Sequence, residues 1–420
     1  MTALDRLLAL PRFATAGTGA YRPGLDRMRA LLAAMGDPHR TAPVVHIAGT
    51  NGKGSTASFV AAIATASSLK TGLHTSPHLM DIGERMRVDG IPAPKAWLAE
   101  ATKRTADTFE QIGPSFFEAT VALSFLTFAD QDAELAVVEV GLGGRLDATN
   151  VVEPAVTAIT HIGLDHTDLL GDTLAAVARE KAGIAKPGVP MLHAVASPEA
   201  VKALTDEARK RGAMVEAIRE TCRWEGHTLR TPARVYADLE IGLAGAHQMW
   251  NAALAVRAAE LAIPDLTEEA VRTGLGDVAR LSGLRGRGEV WAKDPRVVLD
   301  VAHNADGWAA ALSRMTLPDG GGLYALVGLM ADKDADALAR QLDVASATAI
   351  PVELAGDRAL PVDALVQTLS ARGVPLVPLP DPTVPNGLVA FQEVASSRDR
   401  LLVTGSHLTV AEVLRSRPSV

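Results

Sequence analysis

Thirteen residues constrain this chain more than any others: Val44-Val45-His46-Ile47-Ala48-Gly49-Thr50-Asn51-Gly52-Lys53-Gly54-Ser55-Thr56. A short β-branched run feeds a glycine-rich turn with one lysine, and helix-compatible apolar residues follow from Ala57 to Ala66. This is the strand–loop–helix order of a phosphate cradle, in which backbone N–H groups and a helix N-terminus face the anion. Glycine lets the backbone approach phosphate oxygens closely. The stretch is expected to bind ATP through Gly49, Thr50, Asn51, Gly52, Lys53, Gly54 and Ser55, with Lys53 on the terminal phosphates. Gly54 separates Lys53 from Ser55, so the commonest pattern, G-x-x-x-x-G-K-[ST], is matched imperfectly.

The rest of the chain must supply a fold around that loop. At 420 residues it exceeds one ordinary core, and two domains are expected. With 48% hydrophobic and 21% charged residues it can bury large cores. The longest apolar run, residues 119–129, is far short of the roughly 20 residues that span a bilayer. Asp5, Arg6 and Arg12 interrupt the leucine-rich start, which therefore does not read as a secretion signal. A single cysteine, Cys222, rules out an intramolecular disulfide framework and fits a reducing cytoplasm. The net charge of −8 argues against a general nucleic-acid surface.

Apolar strands and helices alternate along the chain. Strands are expected at 43–48, 136–140, 156–160, 190–193, 297–301, 322–327, 349–352 and 400–404. Helices are expected at 174–185, 198–211, 248–261 and 362–372. Continuous apolar strands separated by helices signify parallel α/β sheets. The Gly/Arg-rich stretch Leu281-Ser282-Gly283-Leu284-Arg285-Gly286-Arg287-Gly288 reads as a linker. The expected division is an ATP-binding domain over 1–283, a hinge over 284–289 and a smaller α/β domain over 290–420.

Two further strand–loop segments carry chemistry. In Val137-Val138-Glu139-Val140-Gly141-Leu142-Gly143-Gly144-Arg145-Leu146-Asp147-Ala148-Thr149-Asn150, a carboxylate ends a strand and a glycine-rich turn follows. Ligands of doubly wound sheets bind beyond strand C-termini, which places Glu139 to hold magnesium near the phosphates. In Thr160-His161-Ile162-Gly163-Leu164-Asp165-His166-Thr167-Asp168, His166 lies among carboxylates and is the better metal ligand of the two histidines. Lys181, in Arg179-Glu180-Lys181-Ala182-Gly183-Ile184, reads on its own as a solvated helix lysine.

Together these segments, with Thr75-Ser76-Pro77-His78, Leu299-Asp300-Val301-Ala302-His303-Asn304 and Thr404 to Val413, closely resemble folylpolyglutamate synthases and the related bifunctional dihydrofolate synthases of the Mur ligase superfamily. The resemblance runs from about residue 20 to about residue 415. It implies a Mur-ligase-like P-loop ATPase domain built on a parallel-type sheet, followed by a smaller Rossmann-like α/β domain. It implies two magnesium sites held by Ser76, Glu139, His166 and Lys181, with Lys181 carbamylated to an N-carboxylate. An anionic carbamate would resolve the repulsion between a lysine ammonium and a dication. Asn251, Arg287 and Asp300 are implied nucleotide contacts, the last two brought onto ATP by domain closure. His303 is implied to position phosphate or transfer a proton, alongside Lys53 and Lys181 as catalytic groups. Substrate contacts are implied at Thr15, Ala16, Gly17, Ser115, Phe117, Leu146, Asp147 and Ala148. The proline that the family usually carries before the linker Gly-Arg is Arg285 here.

The implied activity is ATP-dependent addition of L-glutamate to a folate, and to dihydropteroate, through an acyl phosphate. The implied substrates are a reduced folate, dihydropteroate, L-glutamate and ATP, used by a cytoplasmic monomer with no nucleic-acid or membrane partner. Two alternatives fit the residues less well. A peptidoglycan-type Mur ligase generally carries a nucleotide-sugar domain before its P-loop, and only 48 residues precede Gly49 here. A P-loop switch has no use for Ser76, Glu139 and His166 together with Asp300 and His303.

Overall fold

The computed structural model describes residues 2–11 and 24–416. Thr15, Ala16 and Gly17 lie outside the described residues. The chain divides into two compact units, one of residues 1–242 and 248–284, the other of residues 243–247 and 285–420.

In the first unit eight strands form one sheet: β1 (Val44–Ala48), β2 (Thr71–His74), β3 (Met86–Val88), β4 (Ile91–Pro92), β5 (Leu135–Glu139), β6 (Val156–Ile159), β7 (Pro190–His193) and β8 (Met214–Ala217). Their order is β4-β3-β2-β5-β1-β6-β7-β8. From β2 to β8 the pairings are parallel, and β3 and β4 extend the edge antiparallel. All five residues of β1 and of β5 are buried, as central parallel strands require. One face packs Val44, Ala136 and Val138 against Phe116, Phe125 and Phe128, and Ala48, Val140 and Ile159 against Val177 and Leu204.

The helix Lys53–Ala66 lies between this sheet and other helices, and Gly54 to Ala64 are all buried. Its sequence is therefore apolar on every side rather than amphipathic. Close approach of the next helix needs glycine: a Cβ on Gly274 would stand 2.6 Å from the Ile63 backbone. The small antiparallel sheet β9 (Arg223–Glu225), β10 (Thr228–Arg230) and β11 (Val235–Tyr236) completes the unit.

The second unit contains β12 (Arg287–Val290), β13 (Val297–Asp300), β14 (Leu323–Val327), β15 (Thr348–Pro351) and β16 (Arg400–Thr404), in the order β12-β13-β16-β14-β15. The last four are parallel, and β12 pairs antiparallel with β13. Its core is built around the fully buried Trp308, with Leu338, Leu365 and Leu402. The α/β class and the layout of a larger P-loop unit with a smaller α/β unit are thus those of the sequence reading.

Within the expected hinge over 284–289, the two units divide after Leu284 and β12 begins at Arg287. Glu289 and Val290 pair with Leu299 and Val298, and Arg287 with Asp300, with an irregularity at Gly288. Gly288 has φ +68 and forms the bulge in this edge strand. The helix expected over 174–185 stops at Ala182, where Gly183 turns the chain against Arg145. Among the described residues, no helix is long and apolar enough to cross a membrane.

Candidate active site

The phosphate-cradle loop leaves the C-terminal end of β1 and is held by the segment that follows β6. Thr50 N donates to His161 O at 2.7 Å, and Thr50 Oγ1 lies 3.0 Å from Gly163 O and 3.1 Å from Gly163 N. Thr160 Oγ1 donates to Asn51 O at 2.7 Å. Gly49 has φ +151, and a Cβ there would lie 1.9 Å from Thr160 Oγ1. No other residue fits that position. Gly52, with φ +87, caps the helix Lys53–Ala66, and a Cβ on it would meet Asn251 Oδ1 at 2.6 Å. Asn251 Nδ2 donates to Gln248 Oε1 at 2.9 Å, and Gln248 Nε2 reaches Ser55 Oγ at 3.4 Å. The sequence-selected Asn251 is therefore at the loop, and Gln248 is a neighbour that the reading did not single out. Lys53 Nζ donates to the carbonyls of Gly49 and Thr50, both at 3.0 Å, folding back over the loop it is expected to serve.

Glu139 ends β5, beside β1, and is only 4% exposed. Its Oε2 accepts from Ser76 N at 3.1 Å, which joins two of the expected metal residues. The Ser76 loop is fastened by Glu84, whose carboxylate accepts from the backbone N–H groups of Leu79, Met80 and Asp81 at 2.9 to 3.0 Å. Arg87 Nη1 donates to Thr75 Oγ1 at 3.1 Å on the other side of that loop.

The glycine turn after Glu139 locks onto the segment that carries Lys181. Cβ atoms on Gly144 and Gly183 would stand 2.8 Å from Glu180 O and 2.3 Å from Arg145 Cβ, so each motif supplies a glycine where the other presses on it. Arg145 N donates to Glu180 O at 2.9 Å, and the Arg145 guanidinium pairs with the Glu180 carboxylate at 2.9 Å. Lys181 is buried, not solvated. Its side chain has no hydrogen bond or ion pair among the described residues. Burial, reinforced by the charge of Lys53 and opposed by Asp165 and Asp147, brings its pKa down to about 7. His166 has φ +50 and lies with Nε2 3.9 Å from Asp165 Oδ1. Among the described residues, no three histidine, cysteine, aspartate or glutamate side chains form a metal-sized group. Magnesium does not need such a cage, because it is usually held by one or two carboxylates, waters and substrate phosphates.

The expected substrate residues divide. Phe117 lies against the glycine turn, with a Cβ on Gly141 reaching its ring at 2.4 Å, and meets the His74 ring edge-on at 6.1 Å between centroids. Asp147 and Ala148 are buried at the same turn, beside the partly exposed Leu146. Asp147 accepts from Leu142 N at 2.9 Å and from Thr149 Oγ1 at 2.5 Å, and burial raises its pKa against those bonds. Behind it, Thr149 Oγ1 lies 2.8 Å from His46 Nε2. Since Thr149 gives its proton to Asp147, His46 must donate through Nε2. Ser115 is occupied otherwise. It caps the helix Phe116–Asp130, and its hydroxyl donates to Glu118 Oε2 at 2.8 Å. Arg27 holds that same Glu118 in two bonds of 3.0 and 2.9 Å.

In the second unit Arg287 and Asp300 are register partners across β12 and β13. Asp300 is 6% exposed; its Oδ1 accepts from Ala302 N at 2.9 Å and its Oδ2 from Arg314 Nη2 at 2.5 Å. His303 Nδ1 lies 3.0 Å from Val301 O, just before Asn304 caps the helix Ala305–Ser313. Arg314 was not recognisable in the sequence as the partner of Asp300, because it lies one helix further on.

Residues 47–259 match the Mur ligase middle domain, and residues 286–407 match the Mur ligase glutamate ligase domain. The chain is 38% identical over 306 residues to the dihydrofolate synthase/folylpolyglutamate synthase of Bacillus subtilis, covering 68% of this chain and 70% of that protein. It is 31% identical over 399 residues to the Escherichia coli protein of the same name, covering 93% and 90%. Its fold is similar to that of E. coli FolC in complex with DHPP and ADP, with a TM-score of 0.86, 29% identity and coverage of 99% and 97%. It is also similar to the Yersinia pestis bifunctional folylpolyglutamate synthase/dihydrofolate synthase complexed with AMPPNP and Mn, with a TM-score of 0.85, 28% identity and coverage of 99% and 97%. Agreement in sequence over most of the chain, and in fold over nearly all of it, places the chain in the folylpolyglutamate synthase/dihydrofolate synthase family of Mur ligases.

Proposed function

We propose that this chain is an ATP-dependent amide ligase that adds L-glutamate to a reduced folate and to dihydropteroate, which makes it bifunctional. The observation that carries the reading is the locking of the Glu139 turn onto the Lys181 helix end, with Glu139 ending the strand beside the one that feeds the ATP loop. On this reading it works as a cytoplasmic monomer on small-molecule substrates.

The acceptor carboxylate attacks the γ-phosphorus of ATP, and ADP leaves. The amine of glutamate then attacks the acyl phosphate; phosphate leaves and the amine loses a proton. Lys53 would leave the Gly49 and Thr50 carbonyls to meet the terminal phosphates, where a fixed cation stabilises transferring charge. Asn251, Arg287 and Asp300 are assigned to the nucleotide, and His303 to positioning phosphate or to proton transfer. Ser76, Glu139, His166 and Lys181 would hold magnesium, which supplies charge neutralisation at phosphate oxygens when bound. The donors fit a hard cation once Lys181 is carbamylated, and a buried amine without an ion pair supports that modification. In it the neutral amine adds CO₂ and releases one proton. Asp147, Ala148, Leu146 and Phe117 are assigned to the pterin side, with Ser115 acting there through its cap on the helix that begins at Phe116.

The deciding experiment measures glutamate- and magnesium-dependent ADP release, with dihydropteroate and a reduced monoglutamyl folate in separate reactions and products identified by mass. Turnover with both acceptors is expected. Turnover with the folate alone would restrict the chain to extension, and silence with both would overturn the substrate assignment.

A further inference from the structure

A cavity of about 750 Å³ opens at the end of the eight-stranded sheet opposite the ATP loop. Its walls come from the helix Asp26–Ala34, the turn Pro38–Arg40, residues 150–154 and residues 186–189. The last three segments lead into the N-terminal ends of β1, β6 and β7, whereas the ATP loop leaves the C-terminal end of β1. Five residues of strand separate the two ends, roughly 16 Å at about 3.3 Å per residue. The cavity is therefore not part of the site described above.

Its lining is built for a charged ligand. Arg29, Arg40 and Lys186 contribute three cations, and Asp37 and Glu153 two carboxylates, giving a net charge of +1 with His39 neutral. Lys186 Nζ donates to Asn150 O at 2.9 Å and keeps two protons, and Arg29 reaches out to Asp26 at 3.2 Å. The Arg40 guanidinium has no hydrogen bond or ion pair among the described residues. Burial, with Arg29 and Arg211 nearby, lowers the pKa of Lys186 against the pull of Glu153, as expected where cations outnumber their partners.

Two buried polar atoms in the same lining lack hydrogen-bond partners, His39 Nδ1 and Asn150 Oδ1. The His39 side chain is 8% exposed, with Asp37 Oδ1 no nearer than 4.0 Å, and Asn150 is 4% exposed. Asn150 Nδ2 donates to Arg145 O at 3.0 Å and Gly183 O at 3.1 Å, which fixes the amide so that Oδ1 is the orphaned acceptor. Leaving such an atom unsatisfied costs about 1–3 kcal/mol, and the polarity of this wall adds to the charge of the lining.

We propose that this cavity binds a free acidic α-amino acid. Its two carboxylates face Arg40, Lys186 and Arg29, and its ammonium faces the Glu153 carboxylate. A net charge of −1 on the ligand balances the +1 of the lining. Asn150 also bridges the Glu139 turn to the end of the Lys181 helix, so the bound amino acid rests against the back of both catalytic segments.

The test is isothermal titration calorimetry of the full chain with L-aspartate, repeated with L-glutamate and with succinate, which lacks the ammonium. One saturable aspartate site per chain is expected, with Arg40→Ala and Lys186→Met each weakening it at least tenfold. Unchanged ADP affinity in both variants shows that they are folded, and the readout does not depend on ligase turnover. Absence of saturable aspartate binding would overturn the proposal. So would binding that survives both substitutions, which would belong to another site, or succinate binding as tightly as aspartate.

Discussion

Ser76 N donates to Glu139 Oε2 at 3.1 Å, so the loop after β2 is tied to the carboxylate that ends the neighbouring β5. The bond uses a backbone donor, and the Ser76 hydroxyl keeps its own hydrogen-bonding capacity. Glu139→Gln preserves this bond through its amide oxygen and removes only the charge. ADP release is expected to fall by roughly 100-fold or more, as when a transition-state electrostatic contact is lost. The melting temperature should hardly move. Steady-state kinetics across a magnesium titration checks this, and wild-type turnover in the variant would remove Glu139 from the metal assignment.

Lys181 is expected to act only as its carbamate. Lys181→Arg keeps a cation but cannot add CO₂, and should lose about two orders of magnitude or more of turnover, the scale of a lost electrostatic stabiliser. A ¹³C NMR carbamate signal should appear in the wild-type protein under ¹³CO₂ and be absent from the variant. An active Lys181→Arg protein would refute the modification.

Gly49 lies under Thr160 with φ +151. Gly49→Ala should cost about 1–3 kcal/mol in backbone strain alone, with the clash adding to it, and should abolish nucleotide binding. Gly188, with φ +73 and nothing within 4 Å, is the control: its alanine variant meets no atom and should leave nucleotide binding intact. Urea denaturation and ADP titration of the two variants separate strain from clash.

Arg314 and Asp300 form a buried pair, both side chains under a tenth exposed. Arg314→Leu strands the carboxylate and should destabilise the protein by about 3–5 kcal/mol. The Arg314→Leu, Asp300→Asn double variant should recover much of that loss. A double variant no more stable than Arg314→Leu would count against the stranded-charge account.

Burial holds His46 and His74 at about 3 and His193 at about 4, from an ordinary 6.5. Between those values and 6.5 the unfolded chain binds protons that the folded chain does not. Stability is therefore full above pH 6.5 and falls as pH drops through that window. Each histidine contributes a slope of up to about 1.4 kcal/mol per pH unit. Urea midpoints measured at pH 7, 6 and 5 should fall progressively; a flat series would show that these rings are not held neutral by the fold.

Strong local signals made much of the fold readable. Residues 43–48, 190–193 and 400–404 carry mostly apolar stretches, and the structure has strands at Val44–Ala48, Pro190–His193 and Arg400–Thr404. β2 carries little strand signature in the sequence, because Thr71-Gly72-Leu73-His74 is short and contains a glycine. Its place is decided by Phe128, whose ring would lie 2.6 Å from a Cβ on Gly72. β8 is a half-exposed edge with little apolar signature. On the expected substrate side, the packing of Phe117 against Gly141 and the Ser115 cap on the helix Phe116–Asp130 appear only in the folded chain.

The candidate groups are written locally: a phosphate loop needs its glycines and lysine in order, so spacing alone marks Gly49 to Ser55 as a candidate loop. Their surroundings were not. That Lys181 is buried, that Asp300 pairs with Arg314, and that His46 supports Asp147 through Thr149 all depend on residues distant in sequence. Such contacts exist only once the sheet has set its strand order, since β5 enters between β2 and β1 and brings Glu139 to Ser76. Sequence spacing records which groups are available, and burial and proximity, which set their charge and partners, arise from the packing of the chain in three dimensions.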